Sequence, residues 1–495
     1  MAPTKDFVLN ALLQRNFLPS QKRSREELPP IFSSLDFSPS VARQLVENVK
    51  PRNDGWDAVD YRLTRFNGIS RPLAIPHPQG FALFALCVHE HWDEFAYIGR
   101  NHASLIRPRQ HRDGRLIIMD YEKSVEKSRR IARLEFAKRY AVHTDIANFF
   151  PSVYSHALPW ALVGFSEAKR KKCDKNEWFN ILDQRLRWMK RNETQGIAIG
   201  PATSNIVSEA ILAKIDEQLL RAGFEFVRFI DDYTAYCETE DRAQEFIRRL
   251  GELLAQYKLA LNIKKTEILR LPRPAVDSWV TVLSANAPRD GIIEPYDANN
   301  YFNLALSLAR ETPDGSVLKF ALKTLSRKKL SANAANELLP QAIGLCFHQP
   351  TLLPLLDALF NQAVLPDEFP YCKQFNVIAK ENARYRRSDG MCWALHYLKR
   401  FEQQVDDDVA RAVIESGDCM SLLLLSHATG AIHKRKVIEF CSQLNGAHPP
   451  YELDQYWILL YQLFLENEIT NPYANDQTFD VLKCNRVSFV KGRCG

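Results

Sequence analysis

Adjacent carboxylates between two apolar, β-prone runs stand out first in the sequence. Phe226-Val227-Arg228-Phe229-Ile230-Asp231-Asp232-Tyr233-Thr234-Ala235-Tyr236 reads as a hairpin with acids at its turn. An Asp at a turn also serves the backbone alone, because its side chain bonds local amides. A third acid, Asp145, ends the run Val142-His143-Thr144-Asp145 and is followed at once by Ile146-Ala147-Asn148-Phe149-Phe150-Pro151-Ser152, with two aromatics and a Pro that turns the chain. Taken alone, Asp before an apolar run is a common helix cap. Placed on two neighbouring strands of one antiparallel sheet, the three carboxylates converge. Convergent carboxylates repel unless compensated, and hard divalent cations take oxygen ligands of this kind. Two such ions about 4 Å apart activate an attacking hydroxyl and stabilise a leaving pyrophosphate.

Two further segments bear on the same chemistry. Between the acidic runs lies Thr194-Gln195-Gly196-Ile197-Ala198-Ile199-Gly200-Pro201-Ala202-Thr203-Ser204-Asn205-Ile206-Val207-Ser208-Glu209, a Gly-Pro loop entering a helix. Its glycines would admit a nucleotide and its partner strand to the backbone, or the loop is a plain capping turn closed by Thr203 or Ser204. After an amphipathic helix beginning near Arg242 comes Leu259-Ala260-Leu261-Asn262-Ile263-Lys264-Lys265-Thr266-Glu267-Ile268-Leu269. A Lys beside a phosphoryl-transfer site protonates or neutralises the departing group, while a Lys pair also suits an exposed strand end.

The elements that must position these residues read as an α+β pattern. Residues 1–52 are helices broken by Pro-containing stretches such as Glu27-Leu28-Pro29-Pro30. Residues 53–140 are short strands and loops, including Arg71-Pro72-Leu73-Ala74-Ile75-Pro76, with an apolar helix from Phe81 to Trp92. In residues 141–272, β-branched and aromatic runs alternate with helical ones. In residues 273–495 a strand-like Trp279 to Leu283 precedes apolar residues at helical spacing, as in Phe302–Ala309, Leu352–Phe360, Trp393–Phe401, Ser421–Ala428 and Trp457–Phe464. Such a series suggests stacked helical pairs of HEAT-like form, without a fixed sequence period. Arg384-Tyr385-Arg386-Arg387-Ser388-Asp389 is either a basic nucleic-acid path or a helix start capped by Ser388 or Asp389.

Composition agrees with a globular protein of more than one packed unit: 495 residues, 46% hydrophobic and 25% charged. A formal net charge of +6 permits nucleic-acid binding without demanding it. Basic residues cluster from Arg100 to Arg139, directly before Asp145, and from Lys169 to Arg191; by default such runs are solvated helix faces. The ten cysteines form no CxxC pair, so neither a zinc site nor a disulfide framework is indicated. There is no signal-peptide pattern and no run of apolar residues long enough to span a membrane, which points to an intracellular protein.

Taken in this order, the segments resemble motifs A, B, C and D of reverse transcriptases. The Asp145 strand ending in Phe-Phe-Pro-Ser looks like motif A, Phe-Ile-Asp-Asp like motif C and Leu-Asn-Ile-Lys-Lys-Thr like motif D, while Arg71 to Pro76 is similar to a fingers segment. The resemblance implies fingers over 53–140, a palm over 141–272 with an antiparallel sheet packed on helices, and an all-α domain over 273–495 in place of a compact thumb. It implies that Asp145, Asp231 and Asp232 hold two Mg²⁺ ions, with Mn²⁺ as the alternative, and that Lys265 is the acid. Phe150 would gate against ribonucleotides, because an aromatic wall collides with a 2′-OH. Gly200, Pro201, Ser204 and Arg71 would bind substrate. Arg107, Arg115, Arg130 and Arg133 are candidates for a triphosphate clamp, with Arg130 among those expected to bind substrate.

The central loop departs from the common pattern: Ala198-Ile199 stands where Pro-Gln is usual before Gly200 and Ser204. That form, with Glu209 and the long helical tail, is similar to the Abi polymerases, bacterial abortive-infection reverse transcriptases of the AbiK and AbiA kind. Membership would imply phage defence in the bacterial cytoplasm and polymerisation of dNTPs without a template. It would also imply priming by a protein hydroxyl, single-stranded DNA left covalently attached, and homo-oligomers. Tyr371, Tyr385, Tyr451, Tyr456 and Tyr461 are primer candidates and none is singled out; Tyr456, Trp457 and Tyr461 have the spacing of core residues. The alternatives are a templated enzyme related to those of retrons or group II introns, and an inactive nucleic-acid-binding scaffold.

Overall fold

The structure is a computed structural model that describes residues 3–20, 22–24, 26–65, 68–119, 122, 124–289, 291–312, 316–428, 431–444, 450–473 and 476–491. Helices and small sheets mix in it as an α+β fold. Strands β1 (Ala58–Thr64) and β2 (Ser70–Pro76) form an antiparallel hairpin in the register Ala58↔Pro76 to Thr64↔Ser70. Pro78 then opens the helix Pro78–Glu90, where its missing N–H costs nothing. That helix is buried on nearly every side, in keeping with its almost uniformly apolar sequence.

The four-stranded sheet carries the acids. Strands β3 (Tyr140–Asp145), β4 (Glu225–Phe229), β5 (Asp232–Cys237) and β6 (Glu267–Arg270) lie in the order β4-β5-β3-β6, and each neighbouring pair is antiparallel. The period of two gives the sheet two faces. Val142, Phe226, Tyr233 and Ala235 are buried on the back. Behind the sheet run the helices Ala202–Arg221 and Glu240–Gln256. The second is amphipathic: it buries Ala243, Phe246, Leu250, Leu253 and Leu254, and Thr239 caps it by accepting from the Arg242 amide. The front face, with His143, Asp145, Asp232 and Thr234, looks onto an open groove.

Trp279 to Leu283 is not a strand. It lies in the helix Ser278–Ala285, because Trp279 and Leu283, four residues apart, share one face: Leu283 is buried and Trp279 packs edge-on against Phe320 at 5.6 Å. Tertiary packing overrides the strand preference of Val280, Thr281 and Val282. Among the described residues from Pro295 to Cys484 the regular elements are helices, apart from Lys329–Leu330, which pairs in parallel with Ile292–Ile293.

Ser388 and Asp389 do not cap their helix; Arg387 takes the N-cap position with no side-chain bond. Both residues bind β1 instead. Ser388 Oγ accepts from the Arg62 amide at 2.8 Å, and Asp389 accepts from the Thr64 amide at 2.9 Å and the Thr64 hydroxyl at 2.7 Å. Trp457 and Tyr461 are core residues: the indole N–H donates to Ile75 O and the phenol to Val487 O.

One apolar core runs from Val8 to Val490. Residues distant in sequence close it, with Phe32 bridging Val490 and the Lys491 amide donating to Ile31 O at 2.8 Å. Among the described residues no helix is long and apolar enough to cross a membrane.

Candidate active site

Register brings the acids together. Asp145 is the partner of Asp232 across β3 and β5, so both side chains leave the same face. Phe229 pairs with Asp232, which leaves Ile230 and Asp231 as a two-residue turn. Its first residue, Ile230, has φ +59°, a conformation that costs a β-branched side chain dearly and is normally given to Gly. The Ile146 amide donates to Asp231 O at 3.3 Å, and the Asn262 amide to Asp145 O at 2.7 Å. The ends of β3, the turn and the segment before β6 are thereby stitched together. Asp145 terminates a strand and caps no helix.

Crowding shapes the electrostatics. Burial, and then the charges of Asp232 and Asp145, push the Asp231 carboxyl up to about 7, with Arg71 pulling weakly the other way. Asp232 is exposed along the groove, yet the groove walls desolvate it, and with Asp145 they raise its carboxyl too. Lys265 Nζ donates to Asp145 Oδ2 at 2.6 Å, and this bond, with the other carboxylates, raises the pKa of the ammonium despite partial desolvation. Lys265 sits in a short 3₁₀ turn, Ile263–Lys265, ahead of β6, and is 65% exposed. Among the described residues no three His, Cys, Asp or Glu side chains are gathered as a ready metal cluster; a lysine ammonium rests on Asp145. The donor set around the turn is nonetheless all carboxylate, the type hard divalent ions take.

Other expected site residues divide into two groups. Arg71, on β2, is brought to the site: it lies 6.0 Å over the Phe150 ring and feels the Asp231 charge, while burial and then Arg65 lower its pKa. Phe150 is 7% exposed and stacks obliquely on Phe149 at 5.2 Å. The Gly-Pro loop packs between them: the Ile197 amide donates to Phe150 O at 2.9 Å, and the Ala74 amide of β2 to Ile199 O at 2.7 Å. Gly200 has φ +130°, and a Cβ there would lie 2.6 Å from Pro19 Cβ. Pro201 takes the N-cap position of the helix Ala202–Arg221, and Ser204 donates to Ala198 O, so neither Thr203 nor Ser204 caps by side chain.

The arginines before Asp145 do not gather at the acids. Arg115 is buried and donates to Ser20 O and Lys22 O, tying the N-terminal segment down. Arg107 donates to Asn101 O. Arg130, on the helix Ser124–Glu135, lines the groove that also holds Asp232, but its guanidinium is paired with Glu122 at 2.5 Å. Arg133 is exposed. The groove measures about 1050 Å³ and is walled across from the sheet by Val280, Phe320, Lys323 and Arg327 of the helical region.

A buried ionic network beneath the turn was not foreseen. Arg228, fully buried, pairs with Glu209 and Asp216 of the helix behind the sheet. One local signal existed: Arg228 falls at an inward position of β4, alternating with Phe226, and a charge there requires buried acids.

Residues 97–293 match the family model described as reverse transcriptase (RNA-dependent DNA polymerase). The chain therefore carries a nucleotidyltransferase domain of reverse-transcriptase type. No curated protein matches the chain. Among solved structures, it is similar to apo telomerase from Candida tropicalis truncated from the C-terminal domain, at 12% identity and TM-score 0.31 over 48% of this chain and 57% of that one. The apo telomerase from the same species matches at 11% identity and TM-score 0.34, over 82% and 73% of the two chains. Telomerase from Candida albicans in complex with a TWJ fragment of telomeric RNA matches at 10% identity and TM-score 0.29, over 82% and 68%.

Proposed function

We propose that the chain is a DNA polymerase of the Abi type, in which Asp145, Asp231 and Asp232 hold two divalent ions, Mg²⁺ or in its place Mn²⁺, and dNTPs are joined without a template. The pairing of Asp145 with Asp232 on the open face of the sheet carries this reading, because it sets the acids side by side next to the Asp231 turn. Bound there, the ions would activate the attacking hydroxyl and stabilise the leaving pyrophosphate. The rest falls to this chain's side chains. Lys265, already at the site and mostly exposed, donates a proton to the departing pyrophosphate. Arg71 offers a cation beside Asp231 for the triphosphate, and Phe150 walls the sugar. Gly200, Pro201 and Ser204 shape the floor for the incoming nucleotide, and Arg130 would have to leave Glu122 to take part.

Support for the untemplated mode comes from the loop at Ile199. Its carbonyl is engaged by β2 and the next residue is wedged against Pro19; Ile199 itself stands where a Gln is usual, and the Gln the loop does hold, Gln195, donates to Ser152 O at 3.0 Å. The division into 1–52, fingers 53–140, palm 141–272 and a HEAT-like helical domain over 273–495 belongs to the same proposal, supported by the paired helices Cys372–Arg384 and Ser388–Arg400. So do protein priming, attached single-stranded DNA, homo-oligomers, and phage defence in a bacterial cytoplasm.

Incubation of the purified protein with Mg²⁺ and labelled dNTP, without template or primer, followed by a denaturing gel, tests the reading. Labelled DNA that migrates with the protein is expected. Efficient copying of an added template with no protein-linked product would replace it with a templated reverse transcriptase of the retron or group II intron kind. Full biological activity of an Asp231→Ala, Asp232→Ala double variant would leave only a scaffold.

A further inference from the structure

Beneath the acidic turn, one guanidinium uses all five of its N–H groups. Arg228 Nε donates to Asp216 Oδ2 at 2.9 Å, Nη2 lies 2.7 Å from the same oxygen and 3.0 Å from Glu209 Oε2, and Nη1 donates to Glu209 Oε1 at 2.8 Å. The remaining bond is the informative one: Nη1 also donates to Ile230 O at 2.8 Å. Ile230 is the residue held at φ +59°, directly before Asp231 and Asp232. A non-Gly residue in that region is strained and persists only where its surroundings over-determine it.

The network itself is held from three sides. Tyr233 donates to Asp216 Oδ1 at 2.9 Å, Asn101 donates to Asp216 Oδ2 at 2.6 Å, and the Arg228 backbone exchanges bonds with the segment before the groove, its amide to Ala103 O and its carbonyl from the Leu105 amide. Arg228, Asp216 and Glu209 are all essentially excluded from water. Burial opposes the charge on Arg228, but Asp216 and Glu209 together outweigh it. Glu209 is pushed up by the same burial and only partly pulled back by Arg228. Buried ion pairs are poor stabilisers compared with apolar residues of equal volume. A fully bonded one placed under a strained turn therefore has a different use.

We propose that Arg228 is a positioning residue: its bond to the Ile230 carbonyl holds the left-handed turn that aims Asp231 and Asp232 into the site, with Glu209 and Asp216 fixing the guanidinium in that pose. This rests on the reading of the aspartates as metal ligands. Lysine cannot substitute, because one ammonium on a flexible stem cannot reach both carboxylates and the carbonyl together.

Two readouts test the assignment, hydrogen exchange of the peptide spanning 229–233 and Mn²⁺ binding followed by electron paramagnetic resonance. Arg228→Lys keeps the buried cation and should leave exchange in β3 unchanged, while exchange of the turn peptide rises about tenfold or more. Mn²⁺ binding should weaken by about 10- to 100-fold, the range seen when partners of metal ligands are removed. Adding Ile230→Asn, which accepts φ > 0 on its own, should restore most of both. Should Arg228→Lys fail to fold, the neutral set Arg228→Met, Glu209→Gln, Asp216→Asn replaces it and is expected to show the same loosened turn. Wild-type exchange and wild-type Mn²⁺ binding in whichever of these variants folds would overturn the proposal, as would no recovery from Ile230→Asn. If the wild-type protein binds no Mn²⁺, the metal reading of the aspartates fails, and the exchange of the turn still decides the role of Arg228.

Discussion

Asp145 carries two burdens at once: it faces Asp232 across the sheet and it accepts the Lys265 ammonium. Replacing it by Asn removes a charge that the proposed ions require, so nucleotide incorporation should fall by 10³-fold or more, equivalent to about 4 kcal/mol at the transition state. Lys265→Ala should lower kcat by about 10²-fold, as for loss of a general acid. Because that side chain is mostly exposed, it should shift the unfolding midpoint little. Single-turnover incorporation of labelled dNTP, with urea unfolding of both variants as control, separates the two effects. The acids were legible in sequence because type and flanks coincide: carboxylates between β-prone runs have few structural uses. Arg228 was not, since its meaning comes from Glu209 and Asp216, which lie on another element and carry no mark of their own.

At the scale of elements, the Gly-Pro loop and the N-terminal segment depend on each other. Gly200→Ala would place a methyl 2.6 Å from Pro19 Cβ in a backbone conformation that L-residues avoid, and should cost about 2 kcal/mol or more in urea unfolding. The N-terminal segment is pinned again at Glu26, which meets Lys319 at 2.6 Å and Lys323 at 2.7 Å on the helix Val317–Ser326. Burial raises the Glu26 carboxyl, but the two ammonium groups outweigh it and hold it at about 2. The sign follows: a carboxyl depressed in the folded state stabilises above its unfolded value, near 4.5, and that stability is lost as pH falls toward about 2. Glu26→Gln should thus flatten the fall in Tm between about pH 4.5 and 2, measured by calorimetry against wild type. The hairpin and the helices were readable from periodicity, whereas Trp279–Leu283 was misread because a five-residue apolar run fits either period and only its packing on Phe320 decides.

For the molecule as a whole, the helical region is fastened to the segment that leads into β1. Asp454, with a fully buried side chain, accepts from Arg52 at 2.7 and 2.8 Å, from the Asp57 amide at 3.0 Å and from Tyr473 at 2.9 Å, while Arg52 lies over the Trp56 ring at 5.1 Å. Asp454→Ala strands a mostly buried guanidinium and should lower the unfolding free energy by about 3–5 kcal/mol in denaturant titration. Such contacts leave no trace in a linear reading, because nothing local to Arg52 points to a partner near residue 454. They also carry a cost in time. Arg52 and Asp454 are 402 residues apart, so at about 5–20 residues per second a ribosome needs roughly 20–80 s between making one and making the other. Through that interval His77 and Arg52 lack the aromatic cover that Trp457 and Tyr473 later provide. The nascent β1–β2 region is then a natural client for chaperones, and the sheet that carries the acids is translated long before the surface that will hold this region is made.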